Sequence, residues 1–165
     1  PTGTISMLAG TTSGIEPVYS VAVKRRYLTD GTRWKYEYAI DGTAQALIDQ
    51  GISPDKIETA VDLAVEPQRR IQMQHDVQVY VDQAISSTIN LPQWGSELNN
   101  EDLVPQYASL IQKYAKGLRG LTVYPDGSRG GQPITSVPYE EAVKKTGVVY
   151  EDNSEEQCMS GVCGI

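Results

Sequence analysis

The sequence has very little histidine and cysteine, two residue types that many enzyme active sites use. Its 165 residues include one histidine and two cysteines, Cys158 and Cys163, both close to the end of the chain. Cysteines placed there cannot cross-link a hydrophobic core through a disulfide, and in a reducing compartment such a pair suggests a redox function. His75 has no second histidine or cysteine near it in the sequence. We therefore expect a partly exposed helix residue at this position and no metal site in the chain.

Long apolar runs and an excess of positive charge are also missing. The longest apolar stretches, such as 147–150, are far shorter than the about 20 residues that cross a bilayer. Lys and Arg number 14 against 21 Asp and Glu, which gives a net charge of −7. We expect neither membrane insertion nor direct nucleic-acid binding. No secretory pattern opens the chain, which favours the cytoplasm, or the host cytoplasm for a viral protein.

The first half of the chain is predicted to form a loop, a strand pair and two short helices. The loop is rich in Gly, Ser and Thr, and Asp30-Gly31 is a strong turn signal between the strands. Asp41 and Ser53 are suited to cap the two helices. The predicted elements are a loop over 1–17, strands over 19–28 and 34–38, and helices over 41–50 and 53–65.

The second half of the chain is predicted to alternate between helix and strand. Apolar residues recur at helical spacing in two runs, and Gly117 is a natural stop for the second. The predicted elements are a helix over 67–85, an extended segment over 86–91, a helix over 103–116 and a strand over 121–124. Such alternation favours an α/β fold with parallel strands.

The chain changes character after Gly130-Gly131. Residues 139–165 carry six acids, two lysines, both cysteines and few large apolar residues. We therefore predict a folded body over 1–132 and a flexible acidic tail over 133–165. A flexible linker over 133–157 would give the cysteines a root-mean-square reach on the order of 25 to 30 Å.

An anion site is a hypothesis for the start of the chain. Residues 1–6 read Pro-Thr-Gly-Thr-Ile-Ser, directly before Met-Leu-Ala. A helix that begins here would bring unpaired N–H groups and hydroxyls to one point. An ordinary hydroxyl cap is the commoner explanation of such a pattern, so the pattern alone leaves both open.

The cysteine pair at the end of the chain is suited to thiol–disulfide exchange. Cys158 and Cys163 flank four small or flexible residues, so one thiol can attack and the other can resolve the mixed disulfide. Glu155 and Glu156 disfavour a thiolate, which predicts a relay and not a strongly activated nucleophile. The alternative is that both are incidental exposed cysteines.

Other candidate sites are weaker. The segment 126–131 is rich in glycine, but no lysine and helix follow it as a phosphate loop requires, so a turn is the better interpretation. The carboxylates of Glu16 and Asp82 have no acid or base partner at a recognisable spacing, and we expect structural roles for both.

Five ordered motifs carry a family resemblance. They are Pro-Thr-Gly-Thr-Ile-Ser at 1–6, Ser-Gly-Ile-Glu-Pro at 13–17, the passage from Tyr80 to Pro92, Gly-Leu-Thr-Val-Tyr-Pro-Asp-Gly-Ser-Arg at 120–129 and the terminal C-x4-C pair. Together they resemble the C-terminal part of the catalytic chain of a ribonucleotide reductase. Each motif alone is weak, but their order over nearly the whole chain is specific.

The resemblance implies a fold, an activity and a substrate site. The fold would be the C-terminal part of a ten-stranded α/β barrel. The activity would be radical reduction of ribonucleoside diphosphates or triphosphates to 2′-deoxyribonucleotides for DNA synthesis. The substrate phosphates would be held by the loop at the start of the chain, at Thr2, Gly3, Thr4, Ile5 and Ser6.

The resemblance also implies partners and a cofactor. Cys158 and Cys163 would re-reduce the active-site disulfide, and thioredoxin or a glutaredoxin-like protein would reduce them in turn. Metal-dependent class I members use two adjacent tyrosines as a radical relay, whereas this chain has Tyr124-Pro125. That difference and the Val-Tyr-x-Asp-Gly-Ser-Arg motif favour class II of the family, whose cofactor is adenosylcobalamin.

The chain departs from the family in what it does not contain. The radical cysteine, its two reducing partners and the proton-handling glutamate and asparagine lie N-terminal to the phosphate loop in the family. We therefore expect a split-gene form or a fragment that requires an N-terminal reductase chain. The alternatives are a non-catalytic phosphate-binding or regulatory module, and a small thiol-redox carrier that uses only Cys158 and Cys163.

Overall fold

The chain contains two compact units. The computed structural model describes residues 3–29, 33–128 and 132–151. Unit 1 consists of Pro1–Pro17 and Glu58–Ser128, and unit 2 of Val18–Ile57 and Arg129–Ile165. No helix among the described residues has the length and apolar character needed to span a membrane.

The elements are, in chain order, α1 (Gly3–Ala9), β1 (Ala22–Thr29), β2 (Arg33–Ile40), α2 (Gly42–Asp49), α3 (Pro67–Gln78), β3 (Thr88–Leu91), α4 (Val104–Ala115), β4 (Thr122–Pro125), β5 (Ile134–Ser136), α5 (Tyr139–Lys145) and β6 (Val149–Glu151). Short 3-10 turns lie at Pro54–Lys56, Asp62–Val65 and Glu101–Leu103. The mixed α/β class predicted from the sequence is confirmed. The described strands form one sheet of four and one of two, and neither is closed.

Unit 1 is built on a parallel strand pair covered by helices. β3 and β4 pair in register from Thr88 opposite Thr122 to Leu91 opposite Pro125. Apolar side chains from α3, β3 and α4 form its core, because each element turns one apolar face inward. The buried members are Ile71, Ile89, Leu91 and Tyr114. The predicted parallel pairing and the predicted helix 103–116 are confirmed here.

Two helix predictions were wrong in extent. The helix predicted over 67–85 ends at Gln78, whose side-chain amide donates to the carbonyls of Val81 (2.7 Å) and Gln83 (2.9 Å) and so stabilises a turn. The helix predicted over 53–65 is replaced by two 3-10 turns. Between them, the Asp62 carboxylate accepts from both the backbone N–H and the hydroxyl of Thr59, which competes with helical hydrogen bonding.

Unit 2 is an antiparallel sheet in the order β5-β1-β2-β6. The hairpin β1–β2 pairs from Ala22 opposite Ile40 to Thr29 opposite Arg33, which confirms the predicted strand pair. Asp41 accepts from the N–H groups of Thr43 and Ala44 and caps α2 as expected. The parallel pairing predicted from the second half of the chain is found in unit 1, whereas the strands of this unit pair antiparallel.

The prediction of a flexible tail from residue 133 was wrong for residues 134–151. β5 pairs with β1, and β6 pairs with β2. Between them, α5 places Ala142, which is fully buried, against Ala22 and Tyr38. These short strands are stabilised by partners far away in the sequence, which composition alone does not reveal. Residues 152–165, and with them both cysteines, lie outside the described residues.

Candidate functional site

The predicted anion site coincides with the beginning of α1. Pro1 and Thr2 lie outside the described residues, and for Gly3 and Thr4 only the helical backbone is described. The Ile5 side chain is 70% exposed, whereas Ser6 is only 6% exposed and therefore buried. Helix geometry leaves the N–H groups of the first turn without partners inside the helix. These backbone donors are the groups that an anion could contact.

The loop that follows α1 is fixed to the start of β3. The N–H of Ile15 donates to the carbonyl of Ser86 (3.1 Å), and the Glu16 carboxylate accepts from the N–H of Thr88 (2.9 Å). The hydroxyl of Ser87 lies 3.3 Å from the carbonyl of Ile15. The Ser-Gly-Ile-Glu-Pro motif is therefore an anchor, and the structural role expected for Glu16 is confirmed.

Arg70 on α3 reinforces this anchor from inside unit 1. Its terminal nitrogen Nη2 lies 3.2 Å from the carbonyl of Ile15, 3.1 Å from the hydroxyl of Ser87 and 3.4 Å from the carbonyl of Thr88. Arg70 is only 7% exposed. Burial lowers the pKa of Arg70 from its ordinary value, and attraction to Glu16 opposes that shift. No pattern in the sequence singles out this residue, because arginine on a helix usually faces water.

Glycine is required at position 14 of the anchor. Gly14 has a φ of +70°, which side chains other than glycine adopt at a cost. A Cβ there would lie 2.1 Å from the carbonyl oxygen of Ser86, well inside contact distance. The close approach of the loop to the strand therefore depends on the absence of a side chain.

The carboxyl ends of β3 and β4 are held together by loop contacts. The N–H of Asp126 donates to the carbonyl of Leu91 (2.9 Å). In the loop after β3, the buried Asn99 donates its side-chain amide to the carbonyl of Pro92 (2.6 Å). Residues at this end of parallel strands commonly form the functional site of α/β proteins. Tyr124, the tyrosine singled out in the sequence, lies on β4 at this end.

Two other expectations concern His75 and the glycine-rich segment. His75 lies on α3 with its side chain 33% exposed and its ring edge-on to Tyr114, as expected for a partly exposed helix residue. No cluster of His, Cys, Asp or Glu able to hold a metal occurs in the part of the chain that the structure describes. Asp126 and Gly127 form a turn, as predicted for the described part of 126–131.

A cleft between α3 and α4 holds none of the predicted site residues. Its volume is about 710 Å³. Apolar residues such as Leu103 and Tyr107 line it, and Arg69 and Lys113 add positive charge. Arg69 is already paired with Glu58 at 2.6 Å. The cleft therefore carries no function that the sequence predicted.

Comparison with known proteins agrees with the motifs. A family model described as the ribonucleotide reductase barrel domain matches residues 1–124. A vitamin B12-dependent ribonucleoside-diphosphate reductase of Mycobacterium tuberculosis is 33% identical over 154 residues, which cover 82% of this chain and 21% of that protein. A protein of the same description from Thermoplasma acidophilum is 31% identical over 154 residues, covering 82% of this chain and 19% of its own length.

A more distant relative has a similar description. The vitamin B12-dependent ribonucleotide reductase of Streptantibioticus cattleyicolor is 22% identical over 171 residues, covering 86% of this chain and 27% of that protein. The chain thus spans about a fifth to a quarter of the length of these relatives. The family resemblance found in the motifs is confirmed: the chain belongs to the ribonucleotide reductase family and contains part of its barrel domain.

Proposed function

We propose that this chain is the C-terminal part of a class II ribonucleotide reductase, which reduces ribonucleotides to 2′-deoxyribonucleotides for DNA synthesis. The observation that carries the proposal is the barrel-domain match over residues 1–124. The B12-dependent relatives and the Tyr124-Pro125 sequence, where class I members would have two tyrosines, support class II.

The strand pair of unit 1 supports the proposed ten-stranded barrel. Parallel sheets are normally extended and covered on both faces, whereas β3 and β4 form a sheet of two among the described residues. Thr122 and Val123 of β4 are exposed. We assign the other strands of the barrel, and the radical cysteine, to residues outside these 165, on an N-terminal reductase chain.

Substrate phosphates are assigned to the first residues of the chain. Thr2, Gly3, Thr4, Ile5 and Ser6 would present backbone N–H groups, and hydroxyls where they are accessible, to the phosphate oxygens. The anchor formed by residues 14–16, with Arg70 and the start of β3, supports this assignment because it fixes the loop that follows α1.

The cofactor is assigned to the rest of the enzyme. Bound adenosylcobalamin would supply the radical that starts each turnover. Among the described residues no three His, Cys, Asp or Glu side chains lie together as metal ligands would, and His75 contacts Asp76 and Tyr114.

Cys158 and Cys163 are assigned to the return of reducing equivalents. Each turnover removes the 2′-hydroxyl as water and leaves two active-site thiols joined as a disulfide. One tail thiolate attacks that disulfide, forms a mixed disulfide and releases the first active-site thiol. The second tail thiolate then attacks the tail sulfur of the mixed disulfide and releases the other active-site thiol, so that the tail is left as a disulfide. A thioredoxin-like dithiol reduces the tail in turn.

The described elements extend closer to the cysteine pair than the sequence predicted. Glu151, the last described residue, belongs to β6 and lies seven residues before Cys158. A flexible segment of seven residues would have a root-mean-square span of about 15 Å, less than the 25 to 30 Å expected for a linker that starts at residue 133.

Co-expression with a reductase chain that carries the radical cysteine tests the proposal. The complex should reduce ribonucleotides with adenosylcobalamin and dithiothreitol, and each chain alone should not. Turnover by this chain alone would refute the division of labour. A complex that forms but stays inactive would instead favour a regulatory module.

A second assay tests the cysteines separately. The variant Cys158→Ser/Cys163→Ser should keep its dithiothreitol-dependent activity in the complex and lose its thioredoxin-dependent activity. Equal loss with both reductants would contradict the shuttle role and leave the barrel assignment intact.

A further inference from the structure

Helix α1 has little packing of its own to fix its position in unit 1. It is seven residues long, and helices of that length are marginal without tertiary contacts. Among its described side chains only Ser6 is buried, whereas Ile5 and Leu8 are 70% and 91% exposed. The position of α1 therefore depends on the loop that follows it.

That loop is bonded close to α1 and again close to β3. The N–H of Thr11 donates to the carbonyl of Ser6 (3.0 Å) and closes the end of α1. The N–H of Ile15 donates to the carbonyl of Ser86, just before β3. Only three residues separate Thr11 from Ile15, so a displacement of Ile15 moves the end of α1.

Arg70 is the side chain that joins this loop to both α3 and β3. One nitrogen, Nη2, contacts the carbonyl of Ile15, the hydroxyl of Ser87 and the carbonyl of Thr88. The carboxylate of Glu16 attracts the guanidinium from the loop side. Because Arg70 is buried, water does not readily replace contacts that are lost there. Removal of the guanidinium would therefore loosen the loop at Ile15.

We propose that Arg70 is a positioning residue for the binding of substrate phosphates. Through Ile15 it fixes the loop, and through the loop it fixes α1, whose first residues are assigned to the phosphates. This inference rests on the proposed function. The phosphates are bound in the ground state as well as in the transition state, so loss of Arg70 should weaken binding and leave the chemical step nearly unchanged.

Steady-state kinetics of the complex with the N-terminal reductase chain test this role. With a ribonucleoside diphosphate as substrate, Arg70→Met should raise KM about tenfold and change kcat less than about twofold. Inorganic pyrophosphate resembles only the phosphate part of the substrate. Its inhibition constant as a competitor should rise by the same factor. An unchanged KM, or a fall in kcat at unchanged KM, would overturn the proposal.

Gln78→Met is the matched control for Arg70→Met. Gln78 lies two turns later on α3, is also buried and also makes three contacts, with the carbonyls of Val81 and Gln83 and the N–H of Arg119. These contacts fix a different segment, so KM should stay within about twofold of its original value. A similar rise of KM in both variants would indicate general destabilisation and would contradict a specific role for Arg70.

Two milder variants test whether the contacts of Nη2 are the cause. Lysine also ends in one nitrogen that can donate to three acceptors, although its side chain is shorter, so Arg70→Lys should give a KM between those of the original chain and Arg70→Met. Ser87→Ala removes a single acceptor, and it still tests the role if Arg70→Met does not fold. It should raise KM about twofold to threefold. Equal KM values for the lysine and methionine variants, or no change in Ser87→Ala, would refute the proposal.

Hydrogen exchange of this chain alone tests the link from Arg70 to α1 without substrate or partner. The N–H of Thr11 reports on the end of α1 through its bond to Ser6. Arg70→Met should speed the exchange of this N–H about tenfold, whereas Gln78→Met should not. Equal exchange in Arg70→Met and the original chain would overturn the proposal. An inactive complex of the original chain would instead refute the proposed function, and the exchange result would stand.

Discussion

The short helices, strands and loops of units 1 and 2 are held in place by different interactions. In unit 1 buried polar side chains bind loop backbone, among them Arg70, Gln74, Gln78 and Asn99. In unit 2 the elements are fixed by sheet pairing, and the only buried polar side chain among its described residues is Ser20. Buried polar groups stabilise only one arrangement of their partners, because any other leaves them unpaired.

The difference indicates which unit holds its loops in accurately defined positions, as a binding site requires. Unit 1 contains the proposed phosphate loop and the carboxyl ends of β3 and β4, and its loops are fixed by specific bonds. Unit 2 carries partly buried cation–aromatic pairs, such as Lys24 with its Nζ 3.9 Å from the centroid of the Tyr36 ring, which contribute modestly. Each unit contains one tryptophan, Trp94 in unit 1 and Trp34 in unit 2, so their unfolding can be followed separately.

The largest effect is expected from Gly14→Ala. The positive φ and the contact of the new Cβ with the Ser86 carbonyl should together lower the free energy of unfolding of unit 1 by about 3 kcal/mol. Gly10→Ala is the control, since Gly10 also has a positive φ but open space around it, and about 1 kcal/mol is expected. Urea unfolding followed by Trp94 in a Trp34→Phe background measures both. Equal losses would show that the anchor is not close-packed.

Arg70→Met should have the next largest effect. It removes the donor shared by Ile15, Ser87 and Thr88, and a loss of about 2–3 kcal/mol is expected for unit 1. Arg69→Met, at the neighbouring position, removes an exposed ion pair with Glu58 and should have a much smaller effect. The same urea experiment compares the two variants. A similar loss from both would contradict a buried role for Arg70.

Gly117→Ala should have a moderate effect through His75. A Cβ at Gly117 would lie 2.3 Å from the imidazole, which can move aside only by disturbing its contact with Tyr114. We expect a loss of about 1–2 kcal/mol, as for overpacking. Adding His75→Ala should recover much of it, and Gly120→Ala, whose nearest contact is Ala84 at 3.5 Å, should cost little. Without recovery in the double variant, the steric explanation is wrong.

The smallest effect is expected in unit 2, from Glu141→Gln. The hydrogen bond from Lys145, and next the contact with Tyr38, lower the pKa of Glu141. A carboxyl group whose pKa is lower in the folded than in the unfolded chain stabilises the fold at any pH above its ordinary pKa. This stabilisation is lost as the pH falls below about 4.5. Thermal unfolding followed by Trp34 should therefore depend slightly less on pH between about 5 and 3 in the variant. An unchanged pH dependence would show that the exposed pair contributes nothing.

Much of the local structure could be predicted from the sequence. The Asp41 cap and the apolar face of α4 are short-range signals, and each led to the correct element. The strands predicted on either side of Asp30-Gly31 pair as β1 and β2, although residues 30–32 themselves lie outside the described residues. The parallel pairing of β3 with β4 followed from the order of elements. The motifs also led to the correct family, because their order along the chain was specific.

The remaining structure depends on contacts that the sequence does not display. β5 and β6 are three residues long, and their partners on β1 and β2 lie more than 100 residues away. Arg70 and Gln78 are of residue types that usually lie on the solvent-exposed face of a helix, yet both are buried. Local patterns cannot show that a distant loop supplies their hydrogen-bond partners. The phosphate and cysteine roles come from the family resemblance, and Thr2 and both cysteines lie outside the described residues.

The open edge of β4 has a consequence for the life of the protein in the cell. Within the described ranges β4 pairs only with β3, and exposed strand edges are templates for aggregation that proteins usually protect. If the barrel is completed by a second chain, assembly also covers this edge. Surplus copies of the present chain would then aggregate or be degraded, so the supply of the two parts would have to be matched.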